Sequence, residues 1–257
     1  MSDGAATGRL AVVVPVFNEA TGIQPTLEAL AAQDDADFDA VFVDNGSTDG
    51  SAALIAAFAD DRGLTRWRII DELQKGTGAA ADTGMRAAIA SGATLLARTD
   101  ADCLPRADWT AAIRRSLTTD GLGLVGGELV PRTDEGLGPL RRGALRAAVH
   151  VAEFFGRIRP GNRDAAYRGP YMMAAGCNVG ITAELYEAAG GFPRTAIEDL
   201  HEDRALVNAV RRITDRSARR HDVVVAGSSR RVQAWGLVNT LRWYKDHAYR
   251  GDTVDIR

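Results

Sequence analysis

The first 130 residues repeat one pattern four times, and that repetition constrains the fold more than any other feature: a short apolar run, a polar exit, then a stretch with another texture. The runs are "LAVVVPVFN" (10–18), Ala40–Val43 within "DAVFVDNGSTDGS" (39–51), "TRWRII" (65–70) and "ATLLART" (93–99). Between them lie "GIQPTLEALAAQ" (22–33), with Ile23, Leu27 and Leu30 at helical spacing, "SAALIAAFADD", with Ser51 as its expected cap, and "GAAADTGMRAAIASG" (78–92). Continuous apolar runs suit strands buried on both faces, which requires helices above and below the sheet. The chain is therefore expected to be α/β, with a mostly parallel, Rossmann-like sheet flanked by helices. Such sheets bind ligands beyond the carboxyl ends of their strands. Asn18, Glu19, Asp44, Asn45, Ser47, Asp49, Asp100 and Asp102 all fall there.

The pair Asp100 and Asp102 closes the fourth run in "TDADCLP" (99–105). Residues two apart on a strand point the same way, so two carboxylates there repel unless a cation lies between them. A divalent metal supplies that charge; a solvated turn is the other reading, and the gathering of acids at one sheet edge favours the metal. The bulk numbers fit a soluble globular protein. Net charge is −3, which gives no basic field for nucleic acid, and two cysteines, Cys103 and Cys177, make neither a disulfide framework nor a metal site. The start "MSDGAATGRL" lacks the features of a signal peptide, and no apolar run is long enough to span a bilayer. A cytoplasmic location is expected, with peripheral contact at a membrane left open.

The second half differs. "GLVGGELVP" (123–131) reads as one more strand, and residues 139–163 form a basic, amphipathic segment with Arg141, Arg142, Arg146, Arg157, Arg159 and Arg163 beside Leu145, Val149, Phe154, Phe155 and Ile158. A surface helix with a solvated charged face is the plainer account, and a surface for an anionic acceptor or lipid headgroups is the functional one. Gly76, Gly78 and Ala81 match dinucleotide G-x-G-x-x-G/A spacing, but two strand–helix units precede them, where that fingerprint follows the first strand of its fold.

Six blocks in order resemble the family 2 glycosyltransferases of the GT-A fold: "VVVPVFNEA" (12–20), "VDNGSTDGS" (43–51), "GTGAAADTGMRAA" (76–88), "TDADCLP" (99–105), "GCNVGITAELYEAAGGFP" (176–193) and "EDRAL" (202–206). The resemblance implies a single GT-A domain over 1–257. Residues 8–130 would form the nucleotide-sugar-binding half, and 131–257 an acceptor-side half with a C-terminal helical region. It implies an inverting, metal-dependent transfer from a UDP- or GDP-linked sugar to an acceptor hydroxyl on a small molecule, a glycan or a lipid-linked carrier.

The same resemblance assigns roles. Pro15, Asn18 and Glu19 fall in the first nucleotide-contacting loop, Asp44 meets the base, and Ser47 and Asp49 shape the second loop. Asp82 lies on the donor side, where family members often carry Arg-Asn at the positions of Ala81-Asp82; Lys75 or Arg98 is then the candidate replacement for the lost arginine. Asp100 faces the ribose and Asp102 holds Mg²⁺ or Mn²⁺. Gly176 and Asn178 line the acceptor side with Glu202, Arg242 and Trp243. Asp203 is the expected base, with Asp199 as the competing choice and His201 as a further ligand candidate. "NTLRW" has Asn239 where processive members have glutamine, so a single addition is expected. Two alternatives stand beside this reading. A sugar-phosphate nucleotidyltransferase would need a Gly- and Arg-bearing loop after the first strand, which "VPVFNEA" lacks. A catalytically silent sugar- or lipid-binding module would have no use for intact acids at 100, 102 and 203.

Overall fold

The computed structural model describes residues 8–194 and 202–246. In chain order the elements are β1 (Leu10–Val16), α1 (Gln24–Ala31), β2 (Phe38–Asp44), α2 (Ser51–Asp61), β3 (Trp67–Asp71), α3 (Thr77–Ala90), β4 (Leu95–Arg98), β5 (Leu104–Pro105), α4 (Trp109–Thr118), β6 (Leu124–Pro131), α5 (Pro139–Ile158), β7 (Val179–Thr182), α6 (Ala183–Ala188), α7 (Glu202–Ile213), β8 (Ser217–Gly227) and α8 (Arg230–Asp246). They build one mixed sheet in the order β3-β2-β1-β4-β7-β6-β8-β5. The four strands foreseen in the first hundred residues pair in parallel, and β7 then runs antiparallel against both β4 and β6. That reversal returns the second half of the chain to the edge where the parallel strands end.

The core follows from the two-residue period of the strands. Val12, Val14, Ala40 and Phe42 face one layer with Ile23, Leu27, Ile55, Phe58, Trp109 and Ile113. Ala11, Val13, Val41 and Val43 face the other with Met85, Leu185, Leu206 and Val210. Central strands covered on both sides read as unbroken apolar runs for this reason. Gly84 sets how closely α3 approaches: a Cβ there would lie 2.4 Å from the Val13 side chain.

Two local expectations are corrected. Pro15 is not in the loop after β1 but buried within the strand, paired in register with Val43. It is tolerated because β4 pairs with β1 only as far as Val13, whose carbonyl accepts from Thr99, so no neighbour on that side needs an N–H from position 15. Ser51 is the first residue of α2 rather than its cap. Gly50 takes the cap position with φ 89°, and the Ser51 hydroxyl turns back to donate to Asp49 Oδ1 at 2.6 Å. Among the described residues no helix is long and apolar enough to cross a membrane.

Candidate active site

The loops after β1 and β2 are stitched to each other. The Asn18 amide donates to Ser47 Oγ at 3.0 Å, the Glu19 amide to Ser51 Oγ at 2.8 Å and the Ala20 amide to Asp49 Oδ2 at 2.8 Å, while Asn18 Oδ1 accepts from the Thr48 amide. Asn18 sits at φ 51°, a left-handed conformation that asparagine tolerates better than most residues. Ser47 and Asp49 thus act as loop struts. Asp44 ends β2 half-buried, with both carboxylate oxygens 3.3 Å from the Ser47 amide.

The strand alternation that the sequence suggested for Asp100 and Asp102 does not hold. β4 stops at Arg98, and the acids lie on a turn closed by the Cys103 amide donating to the Asp100 carbonyl at 3.1 Å. Their carboxylates therefore part. Asp100 takes Arg98 at 3.2 Å, and Asp102 takes Arg230 at 2.9 Å. The turn reading and the ligand reading both describe this segment: a turn presents two acids at the sheet edge.

Arg98 organises what lies behind that turn. It is 2% exposed, beneath the Phe192 ring, and its second nitrogen donates to Glu202 Oε1 at 2.9 Å. Burial opposes its charge, but the Asp100 and Glu202 carboxylates outweigh burial and hold it protonated. Arg98 is expected from the resemblance only as a stand-in, with Lys75, for a lost pyrophosphate or base contact, whereas in the structure it is the clamp between the acidic turn and the start of α7. An arginine inside the apolar run "LLART", two residues before an acid, was the available signal. Glu202, expected on the acceptor side, is turned inward onto this clamp.

Asp203 follows Glu202 at the first turn of α7, half-buried, with the Arg204 amide 2.6 Å from its Oδ1. Burial raises its pKa above the ordinary carboxylate value, while the Arg204 and Gly176 amides and the Arg98 charge pull it back. Gly176 is pressed onto the same arginine: a Cβ there would meet the guanidinium at 3.1 Å. Asn178 is wholly buried. It accepts from Trp109 Nε1 at 2.9 Å and donates to the carbonyls of Glu128 and Val223, so its side chain braces the sheet and does not line a surface. Asp199 and His201 lie outside the described residues. Arg242 and Trp243 lie on the last turns of α8.

Arg230 is the residue that the sequence reading missed. At the start of α8 it reaches across to Glu19 Oε1 at 2.6 Å and Asp102 Oδ2 at 2.9 Å. Glu135 fixes this position by accepting from the hydroxyls of Ser228 and Ser229. Glu19 is buried, which raises its pKa against the pull of Arg230, and its Oε2 has no hydrogen-bond partner. Asp82 belongs to a different cluster. It is buried and held by Arg86, Arg194 and the Tyr186 hydroxyl, so it ties α3 to the Gly190–Gly191 turn. Its side chain is thus engaged by protein on each of these sides.

A parallel half-sheet, an acidic turn at its carboxyl edge, an antiparallel return strand and a helix whose buried Glu202 meets that turn through Arg98 fit one class: a GT-A glycosyltransferase architecture. The chain belongs to glycosyl transferase family 2, whose profile matches residues 11–188. It is 35% identical over 122 residues to the glycosyltransferase AglE of Haloferax volcanii, a stretch covering 47% of this chain and 39% of that one. A mannosyltransferase from Pyrobaculum calidifontis, solved with GDP-Man and Mn²⁺, superposes with a TM-score of 0.65 at 24% identity, over 91% of this chain and 61% of that one. TarS 1–349 of S. aureus, solved with UDP-GlcNAc, gives 0.62 at 14% identity, over 86% and 58%. Each of these relatives is longer than the chain described here, and at these identities the solved structures speak to fold.

Proposed function

We propose that this chain is an inverting glycosyltransferase that moves one sugar from a nucleoside-diphosphate sugar to an acceptor hydroxyl, with Asp203 as general base. The observation that carries the reading is the Asp100–Arg98–Glu202 chain, in which Arg98 and Glu202 meet across 104 residues and the base candidate Asp203 is the residue next to Glu202. A single displacement needs a base on one side of the anomeric carbon and charge stabilisation for the leaving group on the other. The GDP-Man and UDP-GlcNAc bound by the structural relatives support a nucleotide-sugar donor.

The residues fit a divalent ion. Asp102 is 27% exposed and already faces a cation, Arg230, and the buried Glu19 Oε2 beside it lacks a partner. Among the described residues no cluster of three or more His, Cys, Asp or Glu side chains could hold a metal unaided. Asp102 would hold Mg²⁺ or Mn²⁺ together with donor phosphate oxygens, a shared coordination typical of these hard cations. When bound, the ion neutralises the charge that grows on the departing diphosphate. The chain's own residues do the rest: Asp203 accepts the acceptor proton, Arg98 keeps the two acidic segments in register, and the loop of Asn18 and Asp44 receives the nucleotide.

Thermal shift with GDP and UDP, in Mn²⁺ and in EDTA, tests the donor side. Nucleotide at about 100 times its Kd should add ~2.7 kcal/mol of stability, and Asp102→Ala should remove the metal's contribution. Equal stabilisation in EDTA would refute the metal assignment. Asp203→Asn should leave that shift in place and lower transfer by roughly 10²–10⁴; near-normal transfer would move the base elsewhere, with Asp199→Asn as the comparison.

A further inference from the structure

The basic segment foreseen as a surface helix is α5, twenty residues from Pro139 to Ile158, roughly 30 Å long. An amphipathic helix on a soluble protein turns its apolar stripe inward. Here one apolar line, besides the part-buried Leu145, is turned outward. Leu140, Ala144, Ala147, Val151 and Ile158 fall within about 40° of one line at the α-helical 100° per residue, and all five are exposed, Leu140 by 90%, Val151 by 54% and Ile158 by 42%. The opposite side is the one that touches the body. Gly156 lies against the Tyr171 ring, where a Cβ would stand 2.9 Å from it, and its carbonyl accepts from Asn162 at 2.7 Å.

Arginines border the stripe on both sides. Arg141 and the capping Arg159 flank one side and Arg146 the other, all three exposed. This pattern selects the occupant. In a symmetric pair of copies, antiparallel α5 helices would set Arg141 against the partner's Arg159 end, like charge on like charge. An apolar stripe with cationic shoulders matches instead a surface that is apolar beneath and anionic at its rim.

We propose that α5 is a docking helix for an anionic lipid bilayer, laying Leu140, Val151 and Ile158 among the lipid chains and its arginines among the headgroup phosphates. The placement has a consequence that rests on the function proposed above. Tyr171, which packs on α5 through Gly156, shares an apolar cluster with Leu206, three residues along α7 from Asp203, so the C-terminal end of α5 lies toward the same region as the candidate base. A hydroxyl or phosphate-linked acceptor carried by the bilayer would be delivered there.

The test is sedimentation of the whole chain with phosphatidylcholine vesicles, with and without phosphatidylglycerol. Binding should require the anionic lipid and weaken with salt. Arg141→Gln and Arg159→Gln should each reduce partitioning about fivefold, and the double variant Leu140→Ser with Val151→Ser by at least about tenfold. Since these side chains project into solvent, circular dichroism should show each variant folded. Absence of binding, or binding that none of these variants changes, would overturn the proposal. So would a solution dimer, seen by light scattering, that the double serine variant dissociates. Vesicle binding needs neither donor nor base, so Asp203→Asn should bind like the unaltered chain. A failure of the proposed catalysis is thereby told apart from a failure of docking.

Discussion

Replacing Arg98 by methionine should destabilise the protein and make its stability depend on pH in a defined direction. Methionine nearly keeps the volume and fits under Phe192, so the change isolates charge from packing. Arg98 is almost wholly enclosed and faces two carboxylates, Asp100 at 3.2 Å and Glu202 at 2.9 Å. Removing one member of a buried ion pair costs about 3–5 kcal/mol, because the other is left without compensation. Asp100 is 34% exposed, so water relieves part of the penalty, and the lower end, about 3 kcal/mol, is expected. At 2–4 °C per kcal/mol for a chain of this size, Tm should fall by roughly 6–12 °C.

The sign of the pH dependence follows from Asp100. Burial already raises its pKa, and the Arg98 charge is the main influence holding it down. Without Arg98 that pKa climbs further above the unfolded value. A carboxylate whose folded pKa is raised stabilises the protein below the unfolded pKa and loses that contribution as pH rises through the folded one. The deficit of Arg98→Met should therefore be largest near neutrality and shrink as the medium is acidified toward the ordinary carboxylate range. Urea unfolding of both proteins at two pH values measures it. A deficit under about 1 kcal/mol, the worth of a surface pair, or one equal at both pH values, would show that Arg98 is not the buried clamp described here.

Other expectations follow from the same geometry. Arg230→Gln should tighten Mn²⁺ binding in the absence of nucleotide, because the guanidinium competes for Asp102 Oδ2; titration calorimetry showing unchanged or weaker affinity would count against it. Asn178→Ala should lower stability by roughly 2–4 kcal/mol, since three buried partners lose their bonds together; a urea midpoint within error of the parent would contradict that. Tyr186→Phe should cost about 1–3 kcal/mol by uncovering Asp82 and the Phe192 amide without touching nucleotide binding, checked by unfolding and thermal shift on one sample. With a base whose pKa burial has raised, transfer should fail on the acid side at a pH above the ordinary aspartate pKa of about 3.9; a profile that stays flat to that value would exclude Asp203.

Much of the first half was legible because each signal there is local. The apolar runs of β1, β2 and β4 are short and buried on both faces, and the loop residues bond locally as turn-formers do, Asn18 with Ser47 and Thr48, and Asp49 with Ala20 and Ser51. What escaped was set by pairing between distant segments. β8, in "SARRHDVVVAG", carries three charged residues and a histidine and does not read as a strand until β6 lies beside it. Arg230 and Glu19 meet across 211 residues, and nothing in "SSRR" distinguishes that arginine from its neighbour. Asp82 and Asn178 lay within recognisable blocks, yet their side chains serve packing. A motif conveys which residues recur, and burial decides whether a given side chain faces ligand or protein.

The charge balance of the edge explains why these pairings and the proposed ion belong together. Among the described residues, Glu19, Asp100, Asp102 and Glu202 are four carboxylates at this edge tied to two guanidiniums, Arg98 and Arg230, and Asp203 adds a fifth carboxylate beside Arg204. Arg98 is bound up on both sides and cannot turn toward a ligand without exposing Glu202, so among the described residues at this edge the half-exposed Arg230 is the cation better placed to answer a diphosphate. A donor carrying negative charge would enter a field that repels it, and one guanidinium shared by Glu19 and Asp102 does not reverse that sign. Two further positive charges placed against Asp102 would cancel most of it and free Arg230 for the phosphates. On this argument the nucleotide and the divalent ion bind as a pair. Calorimetric titration of GDP or UDP should then show affinity rising with Mn²⁺ concentration to saturation, and Mn²⁺ affinity rising by the same factor with nucleotide, as linkage between two ligands requires. Nucleotide affinity independent of Mn²⁺ would mean that the carboxylates of this edge are neutralised by some other means.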